Sequence, residues 1–272
     1  MAVDIQGILT DLRAEQAELD AVVAGLAASE WARATPAEGW TIQDAIAHLA
    51  YFDGQATLAA TDPDRFTAEL ATVLADPELF SDAHLDHGRS LAPAALLGWW
   101  RELRAALLAA LAGLDPSIRV PWYGPPMGPA SLATARLMET WCHGQDVLDA
   151  LGRERLPTDR LRHIAHLAIR TRPFNYASWG RELPAGEVAV ILRAPDGATW
   201  TWGDPNGPDR VRGDALDFAL VTTQRRHLSD SELAVEGPLA TEWMAIAQTY
   251  AGPPGPGRRP GQFRRRAVAP SA

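Results

Sequence analysis

The sequence predicts a mainly helical protein, a four-helix bundle followed by a smaller α+β unit. Three observations carry this. Four long stretches within the first 152 residues place apolar side chains at helical spacing. Clusters of proline and glycine separate them. After residue 156 short runs of β-forming residues appear, with a turn signal between two of them.

The first predicted helix covers 4–28, where Ile5, Ile8, Leu9, Leu12, Leu19, Val22, Val23 and Leu26 recur between charges. Pro36 and Gly39 break the chain. Thr41 then reads as an N-cap with Asp44 three residues on, an imperfect capping box that opens a helix over 42–60. Residues 61–90, with Pro63, Pro77 and several aspartates, predict short helical pieces joined by turns. Pro93 suits a first helical turn, and Leu96, Leu97, Trp100, Leu103, Leu107, Leu108 and Leu111 give a third long helix over 93–114. Five prolines make 115–130 an irregular crossing loop. The fourth helix runs from about Ser131 to a stop at Gly152, with Pro157 beyond it.

Later in the chain, 158–172 predicts one more helix. EVAVILRA (187–194) and ATWTWG (198–203) predict a hairpin turning at Asp196-Gly197. Residues 214–226 read as a helix, 232–237 as a short strand and 238–251 as a last helix. The expected organisation is therefore a four-helix bundle over 1–155, an α+β unit over 156–251 and a disordered Pro/Gly/Arg-rich tail over 252–272.

The bulk properties exclude several classes. The net charge of −9 argues against nucleic acid as the main partner, although the tail holds five arginines and no acid. No apolar run approaches the roughly 20 residues that span a bilayer, and no basic segment precedes an apolar one at the N-terminus. The expectation is a cytoplasmic protein with a small-molecule substrate and no membrane partner. With Cys142 alone, no internal disulfide can form.

The chemistry concentrates on two helices. In ARLMETWCHGQDVLDALG, Glu139, His143 and Asp146 stand at i, i+4 and i+7 and fall within an arc of roughly 60°. Their neighbours on that stripe include Leu132, Ala135 and Ala150, so the stripe faces inward. In TIQDAIAHLAYFDGQ, His48 lies beside Ala45, Leu49 and Phe52 and also faces inward. Two imidazoles and one carboxylate from facing helices suit a divalent metal, Zn²⁺ first, with an open position for water or substrate. The competing reading is a buried His–Glu hydrogen bond that satisfies core polar groups. Asp146 suits a base, a partner for a ligand histidine, or an ion pair with an arginine such as Arg136. Asp53 reads as a structural hydrogen-bonding group. Cys142, about 100° round the helix from His143, reads as a small buried hydrophobe. His84 and His87 read as exposed residues of a polar loop. His163 and His166 lack a nearby acid at ligand spacing, and the ten tryptophans read as packing aromatics.

GWTIQDAIAHLAYFD and METWCHGQDVLDALG resemble the two motifs of the DinB-like, mycothiol-dependent maleylpyruvate isomerase family. The resemblance covers about residues 5–152 and extends loosely to the C-terminal unit, which in that family is sterol-carrier-like. It implies that His48, Glu139 and His143 are zinc ligands and that Asp146 serves catalysis or ligand orientation. It also implies a catalytic arginine from the C-terminal unit, for which Arg225 and Arg226 are the candidates; His227, which follows them, reads first as a solvated helix end and second as part of an anion pocket with them. The late stretch QRRHLSDSELAVEGPLATEWMAIAQTYAG is similar to an actinobacterial metal-binding subgroup, for which no substrate follows. The implied function is a metal-dependent isomerase or S-transferase with mycothiol as thiol co-substrate. A metal-dependent hydrolase on the same bundle, and a non-enzymatic ligand-binding module with a structural metal, are the alternatives.

Overall fold

The computed structural model describes residues 4–75, 77–255 and 257–263, and for 77–83 the backbone alone. Among these residues it holds ten α-helices and a four-stranded sheet in the C-terminal part. The protein is thus mainly helical with an α+β C-terminal portion, as its sequence predicts. It divides into two compact units, Met1–Arg155 and Leu156–Ala272.

In the first unit, α1 (Ile5–Ala24) starts where the Asp4 carboxylate accepts from Gly7 N. It ends at Gly25, and a short 3₁₀ turn, Ala28–Ala32, follows. Helix α2 (Ile42–Thr61) opens on the predicted cap. The Thr41 side chain accepts from Asp44 N, and the Asp44 carboxylate accepts from Thr41 N in return. Helices α3 (Pro63–Ala75) and α4 (Pro77–Ser90) are longer than the short pieces expected over 61–90. Pro63 and Pro77 begin these helices rather than interrupting them, because a first-turn residue has no intrahelical use for its N–H. Helix α5 (Pro93–Ala112) and helix α6 (Pro129–Leu151) also start on prolines. Gly152, at φ 64°, ends α6 in the left-handed conformation.

Helix α2 packs on α5 and α6, and α1 packs on the same two, which closes a ring of four long helices. The core between them includes Leu12, Ile46, Leu49, Trp100, Leu107 and Leu137. Polar ties hold the ring in register. Arg136 Nε on α6 donates to Asp53 Oδ1 on α2 at 3.0 Å, and Trp100 Nε1 on α5 donates to Asp53 Oδ2 at 3.2 Å. Asp20 on α1 accepts from Arg101 and Arg104 on α5. These arginines hold its carboxyl below the usual range against the opposing pull of burial. Arg155 bridges α1 and α6, donating to Glu15 Oε1 at 2.7 Å and to the Trp141 carbonyl at 3.0 Å.

The second unit begins with α7 (Leu161–Arg170) and α8 (Arg172–Ser178). Strands β1 (Ala189–Arg193), β2 (Thr199–Trp202), β3 (Arg210–Asp214) and β4 (Ala234–Glu236) form a sheet in the order β2-β1-β3-β4. The β1–β2 hairpin is antiparallel, as predicted; β1 and β3 run parallel. Strand β3 was not expected. It leads straight into α9 (Ala215–Thr222), and α10 (Pro238–Ile246) ends the regular structure. Within the stretch expected to be a disordered tail, Gly261 N donates to the Asp230 carboxylate at 2.7 Å. Phe263 also lies beneath the Arg226 guanidinium, 4.9 Å from centroid to Cζ. Residues 264–272 fall outside the described residues. No described helix is long and apolar enough to cross a membrane.

Candidate metal centre

Helices α2 and α6 face each other, and His48 meets the Glu139–His143 pair across that contact. Glu139 Oε2 lies 3.4 Å from His143 Nε2 and 3.8 Å from His48 Nε2. The ligand atoms of these residues all lie within 4.8 Å of one another, and among the described residues no other group of this kind occurs. Ligands held tetrahedrally at 2.0–2.2 Å from one ion stand about 3.3–3.6 Å apart. The donor set therefore fits a divalent ion with little movement.

The electrostatics suit the same use. Burial and the neighbouring His143 push the His48 imidazole down to about 3, against the pull of Glu139. His48 is thus neutral at physiological pH, the form in which an imidazole binds metal. Burial opposes ionisation of Glu139, but hydrogen bonds to His143 and His48 outweigh it and hold the carboxyl well below its ordinary value. His48 and Glu139 keep 16% and 19% of their side-chain surface exposed, so solvent reaches part of the cluster.

Neighbouring groups fix the rings. His143 Nδ1 finds no hydrogen-bond partner, and its nearest acid is Asp146, with Oδ2 at 3.6 Å. Asp146 is buried and faces the Nδ1 edge of His143, while Nε2 faces Glu139. Trp40 stacks on His143 at 5.5 Å and 16° and also lies 5.1 Å from the His48 ring. It reaches them from a tight loop in which Thr35 N donates to the Trp40 carbonyl at 2.8 Å and Gly39 takes φ 77°. Packing alone was expected of the tryptophans, yet Trp40 covers the candidate ligands.

Other expectations change. His84 is not an exposed loop residue. It sits on α4, buried, with Nε2 3.2 Å from His48 Nδ1. Its helix was hidden by Pro77, although His84, Leu85 and Gly88 already carry helical spacing. His87 is exposed as expected, but on a helix and edge-on to Trp99 at 4.6 Å. Arg136 pairs with Asp53 and not with Asp146, because Asp53 stands opposite it on α2. Asp53 is the structural group that the sequence suggested. Cys142 is wholly buried, with Sγ 3.4 Å from Met138 Sδ.

The four residues His48, Glu139, His143 and Asp146 thus come together. Arg225 and Arg226 belong to the second unit. There Arg225 Nη1 donates to the Thr223 carbonyl at 2.8 Å with its guanidinium over Tyr250, and Arg226 Nη1 donates to the Arg225 carbonyl at 2.7 Å. His227 caps the 3₁₀ turn Leu228–Asp230 by accepting from Ser229 N.

Fold and cluster together define a helical-bundle protein with a candidate metal centre of two histidines and a glutamate. Residues 12–148 match the family model described as the mycothiol maleylpyruvate isomerase N-terminal domain. The chain belongs to this family. Two uncharacterized proteins from two strains of Mycobacterium tuberculosis are each 46% identical over 250 residues, which is 92% of this chain and 97% of theirs. Two crystal structures of mycothiol-dependent maleylpyruvate isomerase share the fold. One, at 17% identity, covers 87% of this chain and 95% of its own, with a TM-score of 0.54. The other, a point mutant at 18% identity, covers 82% and 90%, with a TM-score of 0.53.

Proposed function

We propose that this protein is a mycothiol-dependent enzyme of thiol chemistry, an isomerase or S-transferase, whose divalent ion is held by His48, Glu139 and His143. The observation that carries the reading is that two imidazoles and one carboxylate offer ligand atoms within 4.8 Å of one another in a cluster that solvent partly reaches. A structural site would need a fourth protein ligand, whereas a working site keeps a position vacant. Membership in the mycothiol maleylpyruvate isomerase family supports thiol chemistry as the reaction type, and Zn²⁺ is the ion that this donor set suits best.

A divalent ion here would supply positive charge that favours thiolate over thiol at neutral pH. Glu139 would contribute the negative charge that keeps the ion bound, and the two imidazoles would contribute lone pairs. Asp146, beside His143 Nδ1, orients that ring; from this side it acts through His143 rather than as a base. Trp40 fixes both imidazoles in place and excludes water from one face. The isomerisation itself is addition of a thiol to an activated double bond, rotation about the resulting single bond and loss of the same thiol. Arg225 or Arg226 would pair with an anionic substrate.

The test is turnover of a cis-configured activated dicarboxylate, such as maleylpyruvate, by the zinc-loaded chain with and without mycothiol. The reading expects mycothiol-dependent isomerisation, lost on substituting Glu139→Gln. Full activity in metal-free protein, or turnover indifferent to mycothiol as expected of a hydrolase, would overturn it.

A further inference from the structure

The imidazole of His48 has two faces to satisfy. Its Nε2 edge looks towards Glu139, and its Nδ1 edge looks towards α4, where His84 Nε2 stands at 3.2 Å. A histidine that gives Nε2 to a metal carries its proton on Nδ1, and that N–H needs an acceptor when it is shut away from water. His84 is placed to be that acceptor.

We propose that His84 is a positioning residue for the metal centre: its Nε2 accepts the Nδ1–H of His48 and so fixes the tautomer and ring plane that present Nε2 to the ion. This rests on reading His48, Glu139 and His143 as the metal ligands.

The seat of His84 is built. Its ring is buried between Trp40 at 6.1 Å, Tyr51 at 5.6 Å and Phe52 at 5.6 Å. One turn further along α4, Gly88 touches α2 so closely that a Cβ there would lie 2.2 Å from the Ala47 Cβ. Gln43 Nε2 on α2 donates to the carbonyl oxygens of Gly88 at 2.9 Å and Leu91 at 3.1 Å. Arg89 Nε donates to Asp44 Oδ1 at 2.7 Å. Gln43, Asp44 and Ala47 of α2 thus anchor the end of α4, and His84 is held against His48 by the packing of two helices. The hydrogen bond also sets the tautomer of His84 itself, which must carry its proton on Nδ1 to leave Nε2 free to accept.

The experiment uses the full chain and Co²⁺ or Zn²⁺ as the probe. Affinity is measured by chelator competition for the wild type, His84→Phe and His84→Gln, with thermal melts of the metal-free proteins alongside. Phenylalanine keeps a ring in the seat but has no acceptor; glutamine restores an acceptor oxygen. The expected result is a loss of about 10–100-fold in affinity for H84F, largely recovered in H84Q, together with an altered Co²⁺ visible spectrum in H84F alone. Equal affinity of H84F and wild type would overturn the proposal, as would H84Q falling as far as H84F. Independently of any variant, long-range ¹H–¹⁵N spectra of the zinc-loaded wild type should show His84 protonated at Nδ1 and not at Nε2; the opposite tautomer would overturn the proposal. A wild type that binds neither ion would defeat the metal-site reading itself, whereas a normal wild type with an indifferent H84F defeats only the role of His84.

Discussion

His48 is a histidine that its surroundings keep neutral. Burial and His143 lower it to about 3, although Glu139 pulls the other way. Its ordinary value is near 6.5, so between those two values an unfolded chain binds a proton that the folded chain refuses. The stabilisation tied to this group is complete above about pH 6.5 and is lost as pH falls towards 3. Urea unfolding of the metal-free protein should therefore weaken on acidification below neutrality, by up to about 1.4 kcal/mol per pH unit from this residue. His48→Gln removes the titrating group and should flatten that part of the profile; an unchanged slope would contradict the assignment.

At this scale much of the site was legible. Glu139 and His143 share a face because they are one turn apart, and His48 declared itself through the apolar residues around it. His84 could not be read in the same way. Its contact with His48 spans 36 residues and depends on how α4 docks, which local spacing does not encode. Trp40 was likewise invisible as a site residue, since only the closure of the 34–41 loop brings its indole over the imidazoles.

Among the elements, α4 is the one whose docking brings His84 to the candidate centre. Gly88 is the point of closest approach to α2. Gly88→Ala should force the two helices apart and destabilise the metal-free protein by about 1–3 kcal/mol. Gly98→Ala is the control: Gly98 is an exposed α5 residue with open space where its Cβ would stand, and alanine there should cost nothing or stabilise the helix. Chemical denaturation of the pair checks this, and equal effects at both glycines would contradict the packing argument.

The four long helices were readable because each buries one periodic stripe. The prolines at 63 and 77 misled, since the same residue that breaks a helix interior also starts a helix well. Strand β3 was unreadable for a different reason. Of its RVRGD sequence only Val211 is buried, so the strand shows no convincing alternation. It forms because β1 and β4 flank it and because Arg210 and Arg212 both pair with Glu236 across the β3–β4 ladder.

Taken as a whole molecule, the chain concentrates its candidate ligands in one unit. His48, Glu139, His143, Asp146 and His84 all lie within residues 1–155, the unit that carries the family match. The sheet unit carries Arg225 and Arg226, the proposed partners of an anionic substrate. The most direct test of the metal centre is elemental analysis of the purified full chain after dialysis against metal-free buffer. The same measurement is made on His48→Ala and His143→Ala proteins that melt cooperatively. The account predicts a stoichiometric divalent ion in the wild type and its loss in both variants. A wild type that holds no ion even after incubation with Zn²⁺, or variants that retain it in full, would contradict the account.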